Sequence, residues 1–249
     1  MTRTLAMLLG LAALPAQAVE CQSVAHADTS FTVCEVDLEQ DDLRLFLNDA
    51  EGQPIGQFSA LERDLAEQQL TLRFAMNAGM YHEDRAPVGH YVQDGVELMR
   101  VIATPGPGNF GLLPNGVFCI QEDRADVVET LAFVDQASAC AFATQSGPML
   151  VIDGALHPRF LEDGTSTYIR NGVGTSADGR TAFFAISDRP VNFYTFGTLF
   201  RDTLAVPNAL FLDGNISRLY APDIGRNDFG FRMGPIVAVV APAEQEPAE

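Results

Sequence analysis

Ala209-Leu210-Phe211-Leu212-Asp213-Gly214-Asn215-Ile216-Ser217 decides how the rest of the chain is read. Four apolar residues run straight into a carboxylate. A continuous apolar run of that length reads as a strand buried on both faces. Gly214 and Asn215 then end it, because both tolerate the positive φ of a tight turn. An acid is thereby placed where a buried strand stops, the kind of position at which α/β-type proteins commonly build sites. An ordinary Asp-Gly turn capping a core strand shows the same letters.

Other strand ends repeat the pattern. Residues 71–76 form a second buried strand, closed by Asn77-Ala78-Gly79. Asn115-Gly116 precedes a strand at 117–120, and Ser146-Gly147-Pro148 precedes one at 149–152. Ile169-Arg170-Asn171-Gly172 puts an arginine on or beside a strand read over 166–173. Each of these ends, taken alone, is more often a turn than a site. Arg170, between Tyr168-Ile169 and Val173, is expected to be half buried. A buried guanidinium needs an anion, either a structural carboxylate or a substrate.

Residues 31–47 alternate apolar and polar and fit two strands, with a turn near 39–42. Ser59 followed by Glu62 has capping-box spacing, so 59–70 reads as a helix. Residues 88–101 read as a hairpin around Asp94-Gly95, and 104–116 as a Pro/Gly-rich loop. Helices are expected at 135–143 and 193–204, and strands at 181–187 and 236–240. Strands dominate without βαβ alternation. The class is therefore α+β, a single domain with a mixed, mainly antiparallel sheet and few helices.

Residues 1–18 have the form of a secretory signal peptide: Arg3, a short apolar run, and Ala16-Gln17-Ala18 as a cleavage site. The run is too short to span a bilayer, and later apolar runs are interrupted, so no membrane span is expected in the mature chain. Residues 19–240 then form the domain, and 241–249 a disordered acidic tail. The chain carries 33 acidic against 15 basic residues, and every basic residue is arginine. The charge of −18 makes nucleic acid an unsuitable partner. With no lysine, Schiff-base and P-loop lysine chemistries are excluded. An anionic substrate must be met by local arginines. Four cysteines in an exported chain favour disulfides, with Cys21–Cys34 across a hairpin and Cys119–Cys140 joining a strand to a helix as the nearest-neighbour pairing. A periplasmic or secreted location follows.

Several motifs fail on context. Gly106 to Gly111 spells GxGxxG, but Pro114 and Asn115-Gly116 follow where a helix would have to start. There is no GxSxG elbow, no HExxH among His82, His90 and His157, no EF-hand loop and no CxxC pair.

Six segments remain, in this order: AMNAGMY (75–81), PVGHYV (87–92), PNGVF (114–118), QSGPMLV (145–151), IRNGVG (169–174) and LFLDGNIS (210–217). Together they resemble the phosphodiester glycosidase family, over roughly residues 31–240. The resemblance implies an α/β fold with one glycine-lined pocket and hydrolysis of a sugar-1-phosphodiester in envelope or extracellular glycans. Asn77 and Gly79 match the family's Asn-Gly-Gly-Phe-like motif. Arg170 matches its arginine before a glycine-containing turn, and Asp213-Gly214 its Leu-Asp-Gly-Gly-Gly-Ser-like motif. The chain departs at Ala78 and at Asn215-Ile216, which narrows the pocket and blocks transfer of the family's substrate identity.

That chemistry assigns roles. Asp213 would stabilise or attack the oxocarbenium-like carbon. Arg170 would hold the departing phosphate, and Asn77 would bond the sugar or order water. Gly79, His82, Asn115, Ser146, Gly147, Gly214 and Asn215 are the expected substrate contacts, His82 with an acid–base or phosphate role or merely exposed. Glu83, Asp84 and Asp188 are candidates for a second carboxylate. A separation from Asp213 of about 5–5.5 Å suits a retaining pair and about 6.5–9.5 Å an inverting one, and the lack of a second pocket carboxylate weakens both. No cofactor is required. The rival readings are a non-catalytic glycan binder and a metal-dependent phosphodiester hydrolase, with Asp213 and another carboxylate holding calcium or magnesium. The geometric expectation is that residues 77, 147, 170 and 213 meet at the rim of one cavity.

Overall fold

The computed structural model describes residues 19–136, 138–214 and 216–243. The expected signal peptide, Asn215 and residues 244–249 of the expected tail lie outside the described residues.

Strands β1 (Glu20–His26), β2 (Thr29–Asp37) and β3 (Asp42–Phe46) precede helix α1 (Phe58–Glu67). There follow β4 (Leu70–Asn77), β5 (Tyr91–Gln93), β6 (Val96–Met99), β7 (Gly116–Ile120) and β8 (Ala125–Glu129), then α2 (Thr130–Gln136). Next come β9 (Phe142–Ser146), β10 (Met149–Ile152), β11 (Ala155–Leu156), β12 (Asn171–Thr175) and β13 (Thr181–Ser187). Helix α3 (Phe193–Thr198) runs into a π-helical turn, Leu199–Thr203. The chain closes with β14 (Asn208–Asp213), β15 (Leu219–Ala221), β16 (Arg226–Asn227) and β17 (Ile236–Pro242).

These strands form three sheets: β1-β2-β13-β12-β14-β10-β11, β16-β15-β4-β17-β3 and β6-β5-β9-β7-β8. Every strand pair among the described residues is antiparallel. The class is α+β, as composition and pattern imply.

The inner faces of all three sheets share one core, which includes Val36, Leu45, Phe74, Tyr91, Phe118, Phe184, Leu210 and Val237. Each sheet's outer face takes its own helix. Leu61 and Leu65 of α1 cover β4 and β17, Phe133 of α2 covers β7, and Phe196 with Phe200 covers β10 and β14. This layering explains the continuous apolar run of β14. Leu210 and Leu212 face the shared core, while Ala209 and Phe211 face the α3 layer. Both faces are buried, so alternation disappears.

Four local expectations are corrected. Helix α1 begins at Phe58 with Gln57 at its cap, and no side chain caps it. Glu62 instead accepts the Tyr220 hydroxyl at 2.6 Å, so the capping box does not form. The helix expected at 135–143 lies earlier, after the unanticipated β8. Glu129 Oε2 accepts the Leu131 and Ala132 N–H groups at 2.8 and 3.0 Å and starts α2 there. Residues 142–146 are then pulled into the third sheet as β9, with Ala143 paired to Cys119. The segment 166–170 is not a regular strand; only Tyr168 forms an isolated bridge, to Val191, because Arg170 turns inward (below). The domain does not stop at Val240: Ala241 and Pro242 pair with Thr71 and Leu70.

Both expected disulfides form, Cys21–Cys34 and Cys119–Cys140. The first joins directly opposed residues of the β1–β2 hairpin. Cys140 lies in the connection before β9 and not on a helix.

Candidate active site

The three sheets meet at their strand ends, where the motif residues lie. Asn77 ends β4, Asn171 begins β12 and Asp213 ends β14. Ser146-Gly147-Pro148 carries the chain from β9 of the third sheet to β10 of the first.

Buried amides stitch these ends together. The Asn77 side-chain amide donates to Asn171 Oδ1 at 3.2 Å, and the Asn171 amide donates to the Asn77 carbonyl at 2.9 Å. Asn171 Oδ1 also accepts the Asp213 N–H at 3.1 Å and the Ser217 hydroxyl at 3.3 Å. Asn77 Oδ1 accepts the Arg218 N–H at 2.9 Å. From the third sheet, the Ser146 hydroxyl donates to the Leu212 carbonyl at 2.8 Å. Asp213 is therefore fixed through its own backbone and through its neighbour's.

Beside this junction lies a cavity of about 760 Å³. Asp213, Gly214, His82, Tyr81, Arg85 and Phe110 are among the residues lining it. Asp213 is 9% exposed, and its Oδ1 accepts the Gly214 N–H at 2.6 Å. It is the one carboxylate among the described lining residues. Glu83 and Asp84 sit on the adjacent exposed turn without lining the cavity. Asp188 faces a neighbouring cavity and bonds Arg226 and Thr32 at 3.2 and 3.1 Å.

The remaining expected contacts lie behind the cavity wall. Asn77, Asn115 and Ser146 are fully buried. Asn115 donates to the Phe110 carbonyl at 3.0 Å and accepts from Thr130 at 2.7 Å, so it fixes the loop that presents Phe110. Gly147 packs against it so closely that a Cβ would sit 2.6 Å from the Asn115 Cβ. Gly79 backs onto Thr144.

Arg170 is buried outright. Its Nε donates to the Val191 carbonyl at 2.8 Å and one terminal nitrogen to the Ser166 carbonyl at 2.9 Å. The guanidinium lies 3.6 Å from the Phe193 ring centre, a cation–π arrangement. It makes no ion pair among the described residues, so the structural salt bridge is not what holds it. Its other terminal nitrogen, Nη1, has no hydrogen-bond partner. That atom lies 3.6 Å from where a Cβ on Gly214 would stand. Arg170 thus backs the cavity floor at Gly214 without lining the cavity. Burial, slightly offset by Tyr168, pushes its pKa down to about 10.

Tyr81 and Arg85 escaped the sequence reading. The Arg85 guanidinium stands 5.3 Å from the Tyr81 ring centre. Arg85 adopts a left-handed φ of 74° in a turn closed by His82 N–H to Ala86 O and Arg85 N–H to His82 O bonds at 2.9 Å each. Burial and then the Asp213 charge raise the Tyr81 pKa, against the opposing pull of Arg85 and Arg218, so its phenol stays protonated. A usable signal was present: Tyr81-His82-Glu83-Asp84-Arg85 is a polar loop between Gly79 and Pro87, with a rare basic residue inside an acidic run. No group of three or more His, Cys, Asp or Glu residues suited to a metal occurs among the described residues, and no helix among them is long and apolar enough to cross a membrane.

Residues 71–233 match the model of the phosphodiester glycosidase family. The chain belongs to that family. A relative from Escherichia coli strain K12, the uncharacterized protein YigE, is 35% identical over 216 residues, covering 86% of this chain and 84% of its own. Among solved structures, zebrafish N-acetylglucosamine-1-phosphodiester α-N-acetylglucosaminidase, a catalytic domain auto-inhibited by its pro-peptide, superposes with a TM-score of 0.62 at 15% identity, covering 89% of this chain and 81% of that one. A hypothetical protein from Synechocystis gives 0.57 at 12% identity, over 88% and 61% of the two chains. At such identities the structural likeness shows a shared fold. The six ordered segments that resemble the family map to the sheet junction and the strands around it.

Proposed function

We propose that the protein is an exported hydrolase that cleaves a sugar-1-phosphodiester between the anomeric carbon and the phosphate oxygen. The supporting observation is the cavity itself, in which one fixed carboxylate, Asp213, shares a wall with Gly214 while guanidinium groups stand in the wall (Arg85) and behind the floor (Arg170).

The chemistry balances simply. The C1–O bond breaks, water oxygen becomes the new hydroxyl on C1, and one water proton passes to solvent. The phosphate departs as a monoester anion. A phosphomonoester has its second pKa near ~6, so at neutral pH it leaves without a strong general acid. A cavity with one carboxylate suffices for that. Asp213 faces the positive charge that develops at C1. Arg85 meets the phosphate directly, and Arg170 acts through Gly214 as a positioning cation in a low-dielectric setting. Asn77 and Asn171 hold Asp213, and His82 at the rim bonds the sugar or the phosphate. The two disulfides suit an oxidising compartment.

The test is release of reducing sugar and phosphomonoester from a panel of sugar-1-phosphodiesters, with chelator present. The wild-type protein should turn over at least one of them. Asp213→Asn should keep both disulfides and lose at least ~100-fold in turnover. No release by the wild type, or full turnover by folded Asp213→Asn, would overturn the proposal.

A further inference from the structure

Strand β9 ends beside the cavity, and its last residues point opposite ways, as strand alternation requires. Thr144 and Ser146 turn toward the sheet junction, where their hydroxyls donate to the Ala78 and Leu212 carbonyls at 2.8 Å each. Gln145, between them, turns away and is buried at 2% exposure. Its side-chain amide uses both of its donors and both lone pairs of its oxygen. Oε1 accepts the His90 and Ile102 N–H groups at 3.0 Å each. Nε2 donates to the Ile102 carbonyl at 2.8 Å and to the Thr130 hydroxyl at 3.0 Å. The Thr130 hydroxyl donates onward to Asn115 Oδ1 at 2.7 Å, and the Asn115 amide to the Phe110 carbonyl at 3.0 Å.

These bonds close on both feet of one loop. Residues 103–109 are exposed, and Pro107, Gly108, Asn109 and Phe110 line the first cavity. Ile102, at one foot, is held by Gln145 at both its N–H and its carbonyl. Phe110, near the other, is reached through Thr130 and Asn115. Between them the loop bonds to itself, Gly111 N–H to the Pro107 carbonyl at 3.3 Å and Leu112 N–H to the Asn109 carbonyl at 3.2 Å. The Phe110 ring rests over Gly89, where a Cβ would stand 2.6 Å from both the ring and Gln145 Oε1. A loop with so few outward bonds stands where those bonds place it.

We propose that Gln145 is a positioning residue for substrate binding: without lining the cavity, its amide sets where loop 103–112 stands and so the shape of the wall formed by Pro107 to Phe110. The inference rests on the reading of this cavity as the cleavage site. Asp213 is anchored separately, through Asn171 and through the Ser146 bond to its strand. Loss of the Gln145 amide therefore moves the wall and spares the reacting carboxylate.

In Gln145→Met, hydrogen exchange should quicken at least ~10-fold at Ile102, Gly111 and Leu112, while β14 keeps its protection. For a sugar-1-phosphodiester, KM should rise about tenfold with kcat held within about twofold, the pattern of lost binding common to ground and transition states. Thr130→Val cuts only the branch to Phe110. It should quicken exchange at Gly111 and Leu112 but not at Ile102, and raise KM by a smaller factor, about threefold. A merely structural role gives the opposite split, because a misfolded fraction lowers the apparent kcat and leaves KM unchanged. That opposite split would overturn the proposal. So would unchanged loop exchange in Gln145→Met or, where that variant does not fold, in Thr130→Val. Failure of the wild type to turn over any phosphodiester would overturn the cleavage reading and the substrate role with it, while exchange would still decide whether Gln145 holds the loop.

Discussion

Arg170 is held without a carboxylate, against a phenyl ring, with one nitrogen unmatched. Lowering its pKa from 12.5 to about 10 corresponds to roughly 3 kcal/mol spent on keeping the charge buried. Two charge-assisted bonds to Val191 and Ser166 return about 1.5–3 kcal/mol each. Removal of the charge should therefore nearly cancel in stability and show in function. Arg170→Met is expected to lose no more than about 3 kcal/mol in denaturant unfolding while turnover of a sugar-1-phosphodiester falls at least ~100-fold. The wild-type kcat/KM should also fall as pH rises past about 10, because deprotonation removes the cation behind Gly214, and kcat/KM reports the free protein. Full turnover in folded Arg170→Met would assign the arginine to packing alone.

At the scale of elements, the site depends on strand ends from two sheets, β4 of one and β12 and β14 of the other, being tied to one another. Asn171 Oδ1 takes three donors, from Asn77, Asp213 and Ser217. Asn171→Ala strands those buried groups at about 1–3 kcal/mol per unmatched group, softened where neighbours adjust. A net loss of about 2–4 kcal/mol in denaturant unfolding is expected, with kcat reduced more than KM because Asp213 loses its anchor. An unchanged midpoint would mean that the sheets hold their ends without this amide. The strands themselves were legible: β13, β10 and β14 follow from apolar runs and turn residues, and β14 shows both faces buried. Their partners were not legible, because periodicity reports which face is buried and not what lies across it. Residues 135–143 show the limit. An alanine-rich stretch has helical propensity, yet the Cys119–Cys140 bridge and pairing with β7 draw its end into a sheet. Asp213 was legible as an acid after a buried strand. Arg85 showed only as a basic residue in a polar, acidic loop; its left-handed turn, and with it its place in the cavity wall, is announced by no pattern at that position.

Across the whole molecule, charge and buried imidazoles oppose each other as pH falls. The chain carries −18, so protonating exposed carboxylates relieves repulsion and stabilises the fold. Burial, complete for His90 and His157 and partial for His26, is the largest influence on the three and lowers the pKa of each. Asp202 pulls His26 back up and Arg201 pushes it down, while Glu97 and the Met99 carbonyl oppose the shift at His90. At His157 the Leu113 carbonyl opposes the shift and Arg159 adds to it. A base with a depressed folded pKa binds fewer protons in the native state than in the unfolded one. Stability then rises with pH across the window, and it is lost as pH falls below the unfolded value near ~6.5. The two effects separate by salt. In about 1 M NaCl the Debye length shrinks to about 3 Å and exposed charges are screened, whereas buried imidazoles are not. Under that condition the denaturant midpoint should fall steadily from about pH 6.5 to pH 5, and His90→Gln should flatten the slope by removing one of the three titrating groups. A midpoint that stays level or rises in high salt would show that these histidines protonate in place at no cost to the fold.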